Sequence, residues 1–123
     1  MPLTVITNKS LANNSVTYVK VQRPWKDVST TGSETSISAG DRCLVGTANG
    51  TVTISLPVSG LVMGDEVEFA DKDGTWSGNN CTIKSGTNAN KIDTANTFVL
   101  NVSNTSVRMI YTGSNVWRTQ AWS

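Results

Sequence analysis

The sequence predicts an all-β protein, an antiparallel β-sandwich or jelly-roll-like barrel of short strands with an extended N-terminal arm. Apolar residues alternate with polar ones in short runs, and Gly, Asn, Asp and Pro separate the runs at intervals of roughly 8–12 residues. Ser, Thr and Asn make up about a third of the 123 residues. Because these side chains compete for backbone hydrogen bonds inside helices, they favour strands and turns.

The N-terminal part contains two predicted strands, at residues 3–7 and 16–22. In the second, Thr17, Val19 and Val21 lie on one face and Val16, Tyr18 and Lys20 on the other. Pro24 ends this strand because proline cannot donate a hydrogen bond to a sheet ladder.

A Ser, Thr and Gly-rich stretch at residues 29–33 is the best candidate for a linker. We therefore assign residues 1–28 to an N-terminal arm and residues 29–123 to a single β-module. At 123 residues the chain is long enough for one modest core, although only 37% of it is hydrophobic.

The centre of the chain repeats a short pattern. Gly40-Asp41 is followed by Asn49-Gly50-Thr51, and Gly64-Asp65 is followed by Asp73-Gly74-Thr75 at the same spacing. Asn-Gly is a strong hairpin signal because both residues tolerate positive φ angles. We interpret the two units as similar β-hairpins and not as a solenoid, which requires more copies.

Eight strands of the module follow from the alternation, at residues 35–38, 42–45, 51–56, 66–69, 81–84, 97–102, 107–112 and 116–118. The apolar faces of these strands supply the predicted core, which includes Val52, Ile54, Leu56, Val67, Phe69, Phe98, Leu100 and Val102. Asp41 and Asp65 each follow a glycine, and we expect both to stabilise turns.

Composition excludes several classes of function. The chain has no histidine, which removes Ser-His-Asp and Cys-His catalysis and the common zinc sites, and we predict no cofactor. A net charge of +1 with scattered Lys and Arg gives no electrostatic surface for nucleic acid. No apolar run approaches the ~18 residues of a membrane span. The N-terminus has no basic and apolar signal regions, so we expect no classical secretion.

Two acidic patterns are candidates for chemistry. Glu66 and Glu68 share one strand face, and paired carboxylates act as acid and base in glycoside cleavage, but alternation with Val67 and Phe69 is typical of a solvated strand face. The stretch 71–74 (Asp-Lys-Asp-Gly) resembles the start of a calcium loop. Its glycine comes too early and the final glutamate is missing, which favours a hairpin turn. We therefore predict that the protein is not an enzyme and binds no metal.

The two cysteines, Cys43 and Cys81, leave two interpretations open. A disulfide between them is geometrically possible, but the absence of a secretion signal favours two reduced, buried thiols.

The four tryptophans are the most informative side chains outside the strand pattern. Trp117 lies in a predicted strand and belongs to the core, whereas Trp76 lies in a loop with glycines on both sides and is predicted to be exposed. Trp25 and Trp122 lie outside the predicted strands near the chain ends, where a free monomer usually frays. We predict that they dock on a neighbour. The candidate interface residues are Val16, Tyr18, Val19, Val21, Trp25, Trp76 and Trp122.

Residues 30–118 resemble a module that recurs in bacteriophage virion proteins, both fibre proteins and small capsid-surface proteins. The motifs that carry the resemblance are Gly-Asp-Arg at 40–42, Val-Thr-Ile-Ser-Leu-Pro at 52–57, Gly-Asp-Glu-Val-Glu-Phe-Ala-Asp at 64–71, Asn-Asn at 79–80 before Thr82-Ile83, Val-Leu at 99–100 and Tyr-Thr-Gly at 111–113 before Trp117-Arg118.

The resemblance implies a β-structured, usually homotrimeric building block of the virion, without catalytic residues. A short chain with an added arm fits a capsid decoration (cement) protein that binds the outside of the head and contacts the major capsid protein. The arm could add a strand to a neighbour's sheet edge. The alternative is a tail-fibre or head-fibre module that binds host-surface glycans, for which an exposed Trp76 would be the main argument. Either role implies synthesis in the host cytoplasm and a final location in the virion, on the capsid surface for the decoration protein.

Overall fold

The computed structural model describes residues 24–120. The strands predicted at residues 3–7 and 16–22 lie outside this range, as do the candidate interface residues Val16, Tyr18, Val19, Val21 and Trp122. Within it the chain forms ten β-strands and no helix, which confirms the all-β prediction for the described part. Accordingly, no helix in this range is long and apolar enough to cross a membrane.

The ten strands form two mixed sheets. Their bounds are β1 Trp25–Val28, β2 Glu34–Ser36, β3 Arg42–Val45, β4 Val52–Ser55, β5 Glu66–Asp71, β6 Cys81–Lys84, β7 Lys91–Ile92, β8 Thr97–Leu100, β9 Ser106–Tyr111 and β10 Val116–Gln120. One sheet has the order β1-β3-β5-β9-β10-β7, and the other has the order β2-β4-β6-β8.

The first six strands alternate between the two sheets. β1, β3 and β5 are parallel neighbours in the larger sheet, and β2, β4 and β6 are parallel neighbours in the smaller one. Three successive passes of the chain therefore stack on one another like the coils of a solenoid.

The interpretation of the repeats as two hairpins is wrong. Asn49-Gly50 joins β3 to β4, and these two strands lie in different sheets. Alternation reveals which face of a strand is buried, but it does not reveal the partner strand. Here each strand pairs with the strand one coil away, because the intervening turn carries the chain across to the other sheet.

The repeat itself is a structural unit, because the same turn precedes β3 and β5. In both turns the aspartate N–H donates to the carbonyl three residues earlier, from Asp41 to Ser38 (3.1 Å) and from Asp65 to Val62 (2.9 Å). Each aspartate carboxylate accepts a hydrogen bond from that earlier residue's N–H, at 2.9 and 2.8 Å. The glycine before each aspartate has a positive φ angle, 91° at Gly40 and 99° at the equivalent position. The predicted turn role of the two aspartates is confirmed.

The parallel stack ends with antiparallel strands. β9 runs antiparallel to both β5 and β10, and β8 runs antiparallel to β6. Among residues 24–120, only three of the eight strand pairings are therefore antiparallel, and the predicted antiparallel architecture does not describe the first three coils.

The buried apolar side chains of both sheets form one cluster. The predicted core residues Val52, Ile54, Leu56, Val67 and Phe69 are at most 2% exposed, and Trp117 is fully buried. Val102 is an exception at 60% exposure, because β8 ends at Leu100 and the chain then turns away from the core.

Two strands were not predicted. Trp25–Val28, which we assigned to the arm, forms the edge strand β1 and contributes Val28 to the core. Trp25 therefore lies inside a strand, contrary to prediction. Charged residues occupy the centre of β1, and β7 has only 2 residues, so neither strand shows a readable apolar alternation.

Candidate interaction surfaces

The two glutamates on β5 lie on a solvated strand face, as predicted. Glu68 Oε1 accepts a hydrogen bond from Arg42 Nε (2.7 Å), and Arg108 Nη1 lies 4.0 Å from Glu66 Oε1. No group of three or more His, Cys, Asp or Glu side chains in the described residues is arranged to hold a metal ion.

Asp71 organises the loop that follows β5. Its carboxylate accepts hydrogen bonds from the backbone N–H groups of Gly74 (2.9 Å), Thr75 (3.2 Å), Trp76 (3.4 Å) and Asn104 (2.9 Å). The prediction of a turn at residues 71–74 is confirmed, although the turn leads to the other sheet and not into a hairpin.

Replacing Asp71 by alanine should lower the free energy of unfolding by about 2 kcal/mol, because backbone N–H groups of a half-buried loop lose a charged acceptor. Urea denaturation measures this change. Asp73→Ala is the matched control, since the exposed Asp73 accepts a single backbone hydrogen bond (3.3 Å, from Ala48). Equal effects of the two substitutions would contradict the proposed role of Asp71.

Trp25 is an exposed aromatic residue at a sheet edge. Its side chain is 38% exposed, and the Arg42 guanidinium carbon lies 4.2 Å from the ring centroid. Strand register places Trp25, Arg42, Glu68, Arg108 and Gln120 in one row across the outer face of the larger sheet. The cation–π contact with Arg42, together with the ion pair between Arg42 and Glu68, holds the Trp25 ring on this face. Trp25 is thus available to a partner.

Trp76 is not available to a partner, and the prediction that it is exposed is wrong. The side chain is fully buried, and its indole N–H donates to the carbonyl of Val45 at 3.3 Å. The structure does not bring Trp25 and Trp76 together, because the first lies on the outer face of the larger sheet and the second in the core.

The two cysteines are reduced and buried, which confirms the second of the two interpretations. Burial raises the pKa of the Cys43 thiol to about 11 and that of the Cys81 thiol to about 12. Both thiols are therefore protonated and unreactive at neutral pH.

An apolar groove follows the edge strand β8. It has a volume of about 280 Å³, and its lining residues are Phe98, Val99, Leu100, Asn101, Val102, Thr105 and Val107. Val99 and Val102 are 42% and 60% exposed. Sequence alone did not identify this surface, since residues 97–102 read as one regular strand with an inward Val102.

Two polar clefts lie on the smaller sheet and share an ion pair between Lys84 Nζ and Glu34 Oε2 (2.9 Å). The larger cleft, of about 330 Å³, is lined by Glu34, Ser55, Lys84, Ser85, Gly86, Thr87, Asn88, Asn96 and Thr97. The Asn96 amide donates to the carbonyls of residues 87, 88 and 90, which holds one wall of this cleft in place.

Comparison with known proteins finds no protein-family model that matches the chain and no curated protein that is similar to it. The resemblance to phage virion modules therefore stays a prediction that depends on the sequence motifs quoted above.

Proposed function

We propose that the protein is a structural component of a bacteriophage virion, and specifically a decoration protein that binds the outside of the capsid. It would assemble as a homotrimer and contact neighbouring major capsid subunits. We further propose that the two sheets stack as a β-sandwich around their common core. The five parallel pairings give no support to a jelly roll, which is built from antiparallel strands.

The observation that carries the proposal is β8, which is the last strand of the smaller sheet in the described part of the chain. This strand contains no charged residue and no proline, and exposed valines and an apolar groove accompany it. Proteins that remain monomeric usually protect sheet edges with charged residues or proline, so an end strand without them is typical of an assembly surface. Trp25 lies on β1, the end strand of the larger sheet, and its exposed side chain supplies a second contact point.

Binding of the purified protein to empty capsid shells tests the proposal. We expect saturable binding at a high copy number relative to the major shell protein, and shells that open at a higher temperature once it is bound. Saturable binding to host cells combined with no binding to shells would contradict the proposal.

Trp25→Ala should weaken binding to shells by about tenfold or more while leaving the fold intact, because tryptophan is enriched among interface hot spots, whose truncation costs about 2 kcal/mol or more of binding free energy. Co-sedimentation with shells measures the affinity. Val62→Ala is the control, since this side chain is also exposed (65%) but lies in the loop between β4 and β5. Unchanged affinity of Trp25→Ala would exclude Trp25 from the contact.

A second candidate is a fibre module that binds host-surface glycans. Because Trp76 is buried, it cannot serve as the predicted aromatic platform for a glycan. The polar clefts nevertheless favour a polyhydroxylated ligand, because hydroxyl, amide and charged groups line them. This function predicts few copies per particle and cell binding that free oligosaccharides inhibit. Glu34→Gln, which weakens the ion pair shared by both clefts, should then reduce cell binding without affecting shells.

A further inference from the structure

We propose that the two polar clefts on the smaller sheet form one groove, and that this groove binds a neutral, linear oligosaccharide along β4. The inference goes beyond the decoration function. It rests on the second candidate function for the class of ligand, and it adds the charge, the length and the direction of that ligand.

The outer face of β4 supplies a row of hydroxyl groups. Val52 and Ile54 of this strand are buried. The alternate residues Thr51, Thr53 and Ser55 therefore face away from the core. Thr51 and Thr53 line the smaller cleft, of about 240 Å³, and Ser55 lines the larger one. The two clefts are thus successive parts of one path along β4, and its hydroxyl row is about 13 Å long.

The ion pair between Glu34 and Lys84 crosses this path. Parallel register places Glu34 of β2 next to Thr53. It places Lys84 of β6 next to Ser55, so the pair reaches over β4 from both sides. The two side chains are 43% and 49% exposed, and ion pairs this exposed contribute little to stability. A ligand can therefore open the pair, after which the carboxylate accepts hydrogen bonds from ligand hydroxyls and the ammonium donates to them.

The hydroxyl groups of the row are available to a ligand. Within residues 24–120, the side-chain hydroxyls of Thr51, Thr53 and Ser55 have no hydrogen-bond partner. A hydroxyl both donates and accepts, which matches the hydroxyl groups of a sugar. The ion pair has no net charge, and no other charged side chain is among the described residues that line either cleft. The groove therefore fits a neutral polyhydroxylated ligand better than an anionic one.

One wall of the groove is held in a fixed shape. The Asn96 amide donates to Ser85 Oγ (3.3 Å) as well as to three loop carbonyls, and Ser85 Oγ donates to the Thr87 carbonyl (2.9 Å). Gly86 has a φ angle of 96°, and a Cβ atom there would lie 2.8 Å from the Leu56 carbonyl oxygen. The loop thus packs directly against the end of β4. A site that is fixed before binding loses less conformational freedom when the ligand binds.

The shape of the groove favours a chain over a single sugar. The larger cleft lies at the end of β4 and the smaller one at its start, with the ion pair between them. An extended oligosaccharide contacts both clefts, whereas a monosaccharide fills only one. None of the described lining residues is aromatic, so affinity depends on the number of hydrogen bonds along the row and not on stacking.

NMR titration of the isotope-labelled full-length protein tests the inference. The neutral probes are maltohexaose, cellohexaose and isomaltohexaose, the short probe is glucose, and the anionic probe is hexagalacturonate. We expect saturable shifts of the backbone amide signals of Thr53, Ser55, Lys84 and Thr87 with at least one neutral hexasaccharide. Glucose should bind about tenfold more weakly or worse, because it makes fewer hydrogen bonds.

Three results of this titration would overturn the inference. The first is the absence of saturable shifts at the groove with all three neutral hexasaccharides. The second is glucose binding as tight as hexasaccharide binding, which excludes a linear ligand. The third is tighter binding of hexagalacturonate, which excludes a neutral one.

Thr53→Val removes the hydroxyl at the centre of the row and keeps a side chain of similar size. We expect the affinity for the hexasaccharide to fall about five- to tenfold, the effect of one lost hydrogen bond. Thr53→Ser keeps the hydroxyl and should bind like the wild type. Thr82→Val is the matched control, since Thr82 lies beside Thr53 on the same face but lines neither cleft. Equal losses for Thr53→Val and Thr82→Val would contradict binding along β4.

Shell binding separates this inference from the decoration function. Thr53→Val should bind shells like the wild type, because Thr53 lies on the smaller sheet and Trp25 on the larger one. A protein that binds shells but none of the neutral hexasaccharides contradicts only the inference. A protein that binds a neutral hexasaccharide at the groove but no shells contradicts only the decoration function.

Discussion

Replacing Trp76 by alanine should lower the free energy of unfolding by about 3–5 kcal/mol, the largest effect that we expect from any single substitution. The indole is fully buried in the core, and its N–H group donates to the carbonyl of Val45. Truncation therefore leaves a cavity and removes the donor for a buried carbonyl. Small domains are stable by only about 5–15 kcal/mol, so the variant should unfold at much lower urea concentration.

Trp25→Ala is the matched control for this experiment, because Trp25 is 38% exposed and its ring lies against the Arg42 guanidinium at the surface. We expect a loss below about 1 kcal/mol for this variant. A similar loss for both variants would show that Trp76 is not part of the core.

Raising the pH from 7 to 10 should destabilise the protein by about 3 kcal/mol through Cys43 and Cys81 alone. Their thiols have a pKa of about 11 and about 12 in the folded state, against an ordinary value of 9.0. Between these values the unfolded chain loses its thiol protons while the folded chain keeps them. The stabilising contribution is therefore complete below pH 9 and is lost progressively as the pH rises towards the folded-state values.

Urea denaturation at several pH values measures this contribution, with the double variant Cys43→Ala/Cys81→Ala as the control. Each thiol adds a slope of at most about 1.4 kcal/mol per pH unit, and the variant should lack both slopes. Lysine side chains titrate in both proteins, so their contribution cancels in the comparison. Identical slopes for the two proteins would mean that the thiols are accessible in the folded state.

Local structure could be predicted closely from the sequence. The bounds of β3 and β6 were predicted correctly, and the inward residues Val67 and Phe69 are buried as expected. A period of two in the side-chain pattern is enough to locate a half-buried strand and its inner face. The pairing of strands could not be predicted in the same way, because parallel neighbours one coil apart leave no turn signal between them.

The sequence contains a signal for the burial of Trp76 that the prediction did not use. Gly50-Thr51 precedes Val52, the first buried residue of β4, and Gly74-Thr75 precedes Trp76 in the equivalent position of the second repeat unit. Aligning the two sequence units places Trp76 opposite Val52, which is buried. Glycines on both sides suggested an exposed loop, but the position within the repeat decides the direction of the side chain.

The candidate interaction surface was harder to predict than the core. Val99 and Val102 lie at the end of an apolar run, and nothing in the run shows that its strand stops at Leu100 and forms the edge of a sheet. Edge position depends on the order of all strands, which is a property of the tertiary fold.

Electron microscopy of phage particles that carry a labelled copy of this protein is the most direct test of the central claim, that the protein is a decoration of the capsid exterior. We expect label at regularly repeated positions over the outer surface of the head. Label restricted to the tail or to fibre tips, or particles without label, would contradict the claim.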